Sequence, residues 1–150
     1  RETIGRVAAG AVASKLLKEL GISICAYTSA IGPVTINPEN FNKEEIQKNP
    51  LYMPDAQAAE KAQNYLEQCM KECNSSGGMV ECIISGVPAG IGEPAFEKLD
   101  AALAKAIFSI GAVKGFEIGD GMNVADSTGL QNNDGYYVDE NGVWDGKDRQ

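Results

Sequence analysis

Histidine is absent from all 150 residues, tryptophan occurs once, and aromatic side chains make up only 7% of the chain. Without imidazole the usual Ser-His and Cys-His nucleophile pairs cannot be assembled, and no side chain of ordinary pKa titrates near neutrality. Long apolar runs are missing as well. None approaches the roughly 20 residues a membrane helix needs, and the opening Arg1-Glu2-Thr3 lacks the apolar stretch of a secretory signal, so a cytoplasmic protein with no membrane partner is expected. Positive charge is scarce: 13 basic against 21 acidic side chains leave a formal charge of −8, with the lysines scattered. That balance repels phosphate backbones and argues against a nucleic-acid partner. Four cysteines, at 25, 69, 73 and 82, include no Cys-x-x-Cys. Cys69 and Cys73 sit one helical turn apart, but a metal site would require Cys25 and Cys82 to converge on them; free thiols are the simpler reading and no metal is expected.

What is present is the composition of a globular protein, 43% hydrophobic and 23% charged. A chain of this size can bury a core without disulfides, and residues 1–150 are expected to form one domain. From Ile4 to Leu20 apolar residues recur at 4, 7, 8, 11, 12, 16, 17 and 20, predicting an amphipathic helix closed by Gly21. Residues 22–31 alternate as a strand half-covered by the core. Residues 32–54 hold four of the six prolines and read as a surface connection with a short helix over Lys43–Lys48. Asp55 can cap a second helix, which the run Asn74-Ser75-Ser76-Gly77-Gly78 ends. Residues 79–85 predict a central strand. Beyond the loop Gly86–Gly92, Pro94 suits a first helical turn, and Phe96, Leu99, Leu103, Ala106, Ile107 and Ile110 predict a third helix. A strand over Ala112–Ile118 is expected next. A long polar loop follows, and then a hairpin from Tyr136 to Trp144 with Asn141-Gly142 at its turn. The expected architecture is α plus β in layers.

Few of these stretches carry chemistry by themselves. The loop Gly86–Gly92 leading into a helix could present backbone N–H groups to a phosphate, yet it matches neither common phosphate-loop pattern, and turns needing positive φ explain its glycines equally well. Asp139-x-Asn141 begins like a calcium loop but places Val143 where an oxygen ligand belongs. Glu2, Glu93, Glu117 and Asp120 are available as acids or bases, each more simply a capping or solvated carboxylate.

Four separated blocks, taken together, are more specific. Arg1-Glu2-Thr3-Ile4-Gly5-Arg6, then Gly86-Val-Pro-Ala-Gly-Ile-Gly-Glu-Pro94, then Lys98-Leu-Asp100, then Val113-Lys-Gly-Phe-Glu-Ile-Gly-Asp-Gly121 resemble the chorismate synthase family in order and spacing, as does the loop around Gln131-Asn132-Asn133-Asp134. The resemblance implies an α+β fold, a layered β-α-β sandwich with antiparallel sheet and amphipathic helices, assembled as a homotetramer. It implies a lyase of the shikimate pathway that converts 5-enolpyruvylshikimate 3-phosphate to chorismate and phosphate, with reduced FMN as cofactor, NADPH as a linked reductant, and no net redox change.

Carried over residue by residue, the resemblance places Arg1 at the substrate, where a planar guanidinium suits a phosphate or carboxylate. It places Gly111 and Ala112 at the FMN through their backbone. Arg6 is read as structural. The family's two catalytic histidines and its Arg-Ser-Ser flavin-phosphate segment have no counterpart here, so no catalytic residue is expected within the chain, which reads as a central fragment of a longer polypeptide, inactive in isolation. The alternative is a non-catalytic binding or structural domain of similar fold; flanking sequence before Arg1 and after Gln150 separates the two. A Gly-rich nucleotide binder would instead bind a nucleoside triphosphate tightly.

Overall fold

The computed structural model describes residues 2–133, 135–138 and 144–147. They fall into two compact units, Arg1–Ala89 and Gly90–Gln150.

The first unit opens with helix α1 (Glu2–Glu19), followed by strands β1 (Ser23–Ile31) and β2 (Val34–Thr35), helix α2 (Ala56–Lys71) and strand β3 (Gly78–Ser85). Gly21 closes α1 as expected. It takes φ +79°, its N–H bonds to the Lys18 carbonyl at 3.0 Å, and the Ile22 N–H reaches back to the Leu17 carbonyl at 2.9 Å, the pairing that satisfies orphan carbonyls at a helix end. The apolar stripe of α1 is nevertheless unburied. Ile4, Val7, Val12, Leu16 and Leu20 are all exposed, and the helix has no buried residue.

The three strands form an antiparallel sheet in the order β2-β1-β3. The central strand is therefore β1, and the expectation that residues 79–85 lie centrally is corrected: β3 is an edge among the described residues and is exposed along most of its length. A short apolar run reads the same at either position, because local sequence does not encode how many neighbours a strand acquires. Between Thr28 and Ala30 the register shifts by a bulge, so consecutive residues Ser29 and Ala30 are both buried. The backbone loosened there is held by the following loop: the Thr28 N–H donates to the Tyr52 carbonyl, and the Ile36 N–H to the Ser29 carbonyl, each at 3.0 Å.

Residues 32–54 are more than a surface connection. They carry two 3-10 turns, Pro38–Asn40 and Lys43–Gln47, and they supply Ile46, Met53 and Pro54 to the interior. Proline content signalled irregular backbone correctly but said nothing about burial. The Asn49 side chain organises the stretch: its Nδ2 donates to the carbonyls of Glu45 and Met53, while its Oδ1 accepts from the N–H groups of Leu51 and Met53. Met53 packs with Ala58, Ala59 and Ala62 of α2, and Ile31, Val34, Ile36 and Leu51 surround that cluster. Asp55 caps α2 as its position suggested. Its Oδ1 accepts from Gln57 and Ala58 N–H groups at 2.9 and 3.2 Å, and its Oδ2 from Asn37 N–H at 3.1 Å.

The second unit contains helix α3 (Leu99–Phe108), a 3-10 turn over Gly121–Asp126, and strands β4 (Gly135–Val138) and β5 (Trp144–Lys147), which pair antiparallel. These strands are the expected hairpin; its Asn141-Gly142 turn lies outside the described residues. Two expectations are corrected. α3 begins at Leu99, not near Pro94, because residues 92–98 fold into a tight turn with Gly92 and Ala95 at φ +96° and +67°, closed by Glu93 N–H donating to the Glu97 carbonyl at 2.9 Å. Residues 112–118 form no strand: the stretch has apolar, β-prone side chains but pairs with no other strand among the described residues, and such pairing is what makes a strand.

Candidate functional site

Of the residues singled out for chemistry, Arg1 lies outside the described residues. Gly111 and Ala112 form the turn that ends α3. The last carbonyls of the helix are satisfied by Ser109 and Ile110 N–H groups, and the Val113 N–H reaches the Ile110 carbonyl at 3.4 Å. Ala112 occupies the third position of that turn with φ +68°, a conformation glycine adopts freely and alanine only at a cost. Both residues are exposed, and a side-chain carbon added at Gly111 would meet nothing within 4 Å. Lys114 follows two residues later and Glu117 turns back over Gly121.

The glycines of the 86–92 loop have steric causes. Gly86, at φ +79°, lies so close to Gly21 that any Cβ would run into the Gly21 carbonyl oxygen. Gly92 is pressed against the backbone N–H of Leu99, where a Cβ would come within 2.8 Å. Since α3 starts only at Leu99, the loop does not open directly onto a helix N-terminus, and the phosphate cradle suggested by its sequence loses that contribution.

The four cysteines are free. Burial pushes the Cys82 thiol above its ordinary pKa, and the Cys25 thiol adds to the effect, so Cys82 carries less thiolate than a free cysteine would. Cys69 is buried on α2, whereas Cys73 is exposed one turn later in a left-handed conformation that closes the helix. Among the described residues no group of three His, Cys, Asp or Glu side chains is placed to hold a metal.

One constellation escaped the sequence. Register places Tyr27 directly opposite Glu81 on β1 and β3. The buried Tyr27 hydroxyl donates to Glu81 Oε2 at 2.7 Å, and the Tyr27 ring meets Phe41 edge-on with centroids 5.1 Å apart. Burial, reinforced by the neighbouring carboxylate, raises the Tyr27 pKa to about 12. A groove of about 370 Å³ opens beside the pair, lined also by Thr35, Ile36, Pro38 and Ile83. The two polar partners are 54 residues apart in the chain. Alternation was visible on residues 22–31 and a strand on 79–85, but only the pairing register brings the two residues together.

Comparison with known proteins is consistent across sequence and structure. A family profile described as chorismate synthase matches residues 1–147. The chain is 65% identical over 142 residues to a chorismate synthase of Lachnoclostridium phytofermentans, and 62% identical over 143 residues to that of Agathobacter rectalis, covering 95% of this chain in each case. It spans 39% of the length of both relatives. A crystal structure of chorismate synthase superposes with a TM-score of 0.82 at 30% identity, covering 94% of this chain and 46% of that one. The α+β architecture, with helices and an antiparallel sheet, is thus that of a solved structure.

Proposed function

This chain belongs to the chorismate synthase family, and from that premise we propose that it forms part of a longer lyase that eliminates phosphate from 5-enolpyruvylshikimate 3-phosphate to give chorismate. The match across residues 1–147 is the observation that carries the reading. In it Arg1 contributes a guanidinium to the anionic substrate, offering paired donors to a phosphate or carboxylate. Gly111 and Ala112 present open backbone to the flavin, and the exposed, left-handed turn they form fits such an approach. Reduced FMN, when bound, supplies electron density transiently as phosphate departs. The part played by this chain is to bind and orient. In this reading proton transfer belongs to the family's two catalytic histidines, which lie elsewhere in the longer enzyme; this chain contains no histidine.

The same reading makes the parent a cytoplasmic homotetramer served by NADPH-linked flavin reduction, with residues 1–150 contributing to one domain. No helix among the described residues is long and apolar enough to cross a membrane. The test is substitution within the full-length enzyme. Arg1→Ala should raise KM for the phosphorylated substrate by about tenfold or more, the worth of a charged hydrogen-bonded pair. Ala112→Val should weaken FMN binding, measured by flavin fluorescence, while leaving the circular dichroism spectrum intact. Unchanged KM and unchanged flavin affinity would remove both assignments.

A further inference from the structure

The connection between α2 and β3 holds a side-chain amide against the backbone that follows it. Cys73 takes φ +54°, and the helix is closed by the Cys73 N–H donating to the Met70 carbonyl at 3.1 Å and the Asn74 N–H to the Cys69 carbonyl at 2.8 Å. Asn74 is thereby fixed where the chain leaves the helix, and Ser75 follows it in irregular, exposed backbone. The Ser75 N–H meets no backbone carbonyl among the described residues. It donates instead to Asn74 Oδ1, on the side chain just before it, at 2.9 Å. Since Oδ1 is bonded to Cγ, that hydrogen bond sets the Ser75 nitrogen beside the carbon with which it would close a succinimide ring.

No other asparagine among the described residues accepts from the N–H that follows it. Asn37 and Asn49 precede prolines, which have no N–H to lose. Asn42 accepts from Glu44, two residues on, and Asn64 lies inside α2, where the next N–H belongs to the helix ladder.

We infer that Asn74 is a self-modification site, at which the amide converts without an enzyme to aspartate and isoaspartate. Ser75 N–H gives its proton to solvent base and the nitrogen attacks Asn74 Cγ. An N–C bond forms, the bond from Cγ to the side-chain nitrogen breaks, and that nitrogen takes up a proton and leaves as ammonia. Water then opens the succinimide at either carbonyl, so a water is consumed, an ammonia is released, and nothing is oxidised or reduced. Holding nucleophile and carbon together removes the conformational search that an open chain must make. The product puts a new negative charge at the C-terminal end of α2, beside Glu72, where the helix dipole disfavours it. The inference rests on the first unit alone and does not depend on the elimination reaction.

The test follows the full-length enzyme carrying this chain during incubation in mildly alkaline, heavy-oxygen water. Trypsin releases Asn74 in the peptide Glu72–Lys98, whose mass spectrum reads label uptake and distinguishes aspartate from isoaspartate. The same enzyme unfolded in urea is the reference, having identical sequence neighbours and none of the geometry. The expected result is aspartate and isoaspartate at residue 74, formed at least as fast folded as unfolded, whereas conversion of Asn64 slows about tenfold or more on folding. Ser75→Pro leaves the attacking nitrogen no proton to lose and should abolish isoaspartate at residue 74, whether or not the variant folds. Conversion at Asn74 that is slower folded than unfolded overturns the inference. So does isoaspartate that persists in Ser75→Pro, or a product that is aspartate alone, the mark of direct amide hydrolysis.

Discussion

Helices α1 and α2 are nearly equal in length, at 18 and 16 residues, and both have apolar residues at helical spacing, yet they stand in opposite relation to the core. α2 buries Ala58, Ala59, Ala62 and Cys69, begins at a carboxylate cap, and is packed by Met53 from the preceding loop. α1 buries nothing. The difference is not in propensity, since α1 is rich in alanine and leucine; it lies in whether a partner surface is supplied. For α2 the partner is the 32–54 segment, adjacent in sequence and held in shape by Asn49 and Asp55. For α1 no such surface exists among the described residues, so its apolar stripe records a contact that sequence predicts and those residues do not make.

That contrast can be broken most forcefully at Met53. Its side chain is fully buried, so Met53→Ala should destabilise the first unit by about 3 kcal/mol through lost burial and a residual cavity. Chemical denaturation read by α2 helicity measures it, and a loss under about 1 kcal/mol would show that α2 does not depend on the loop.

Asp55 comes next. Asp55→Ala removes the cap and the tie to Asn37 and should cost about 1–2 kcal/mol. Its pH dependence sharpens the point. Burial would raise the Asp55 pKa, but backbone N–H bonds from Asn37, Ala58 and Gln57, with the Asn40 side chain, outweigh it and hold the carboxyl below its ordinary 3.8. A depressed folded-state pKa stabilises the fold fully above the ordinary value, and the contribution is lost as pH falls through the folded one. Asp55→Asn should therefore flatten the acid limb of the stability curve, and an unaltered limb would contradict the assignment.

The smallest effect belongs to α1. Leu16 is 63% exposed, so Leu16→Ala in this chain should change stability by no more than about 0.5 kcal/mol. In the full-length enzyme the same substitution should cost about 2 kcal/mol or more if the stripe is covered there. Equal small effects in both would mean that the apolar spacing of α1 serves no packing role.

How much of this was legible in the sequence follows the reach of each signal. Gly21 and Asp55 announced helix ends correctly because capping is decided within five residues. Local patterns failed wherever the outcome depended on a distant partner. Val113, Phe116 and Ile118 look like a strand but find nothing to pair with among the described residues, and β3 is an edge among them although its composition suits a centre. Pro94 pointed to a helix start that the left-handed turn at Gly92 and Ala95 displaced to Leu99. Among site residues, Gly111 and Ala112 were reached through family resemblance alone; the local sequence marks them only as a helix stop. The Tyr27–Glu81 pair stayed hidden, since register alone joins residues that far apart.

In the proposed function this chain contributes binding groups to chemistry whose proton carriers lie elsewhere in the longer enzyme. The most direct measurement is product formation by the 150-residue chain alone, supplied with 5-enolpyruvylshikimate 3-phosphate and reduced FMN under anaerobic conditions. The expected result is no chorismate above the buffer control, with activity present in the full-length enzyme under the same conditions. Sustained chorismate formation by the chain alone would contradict it.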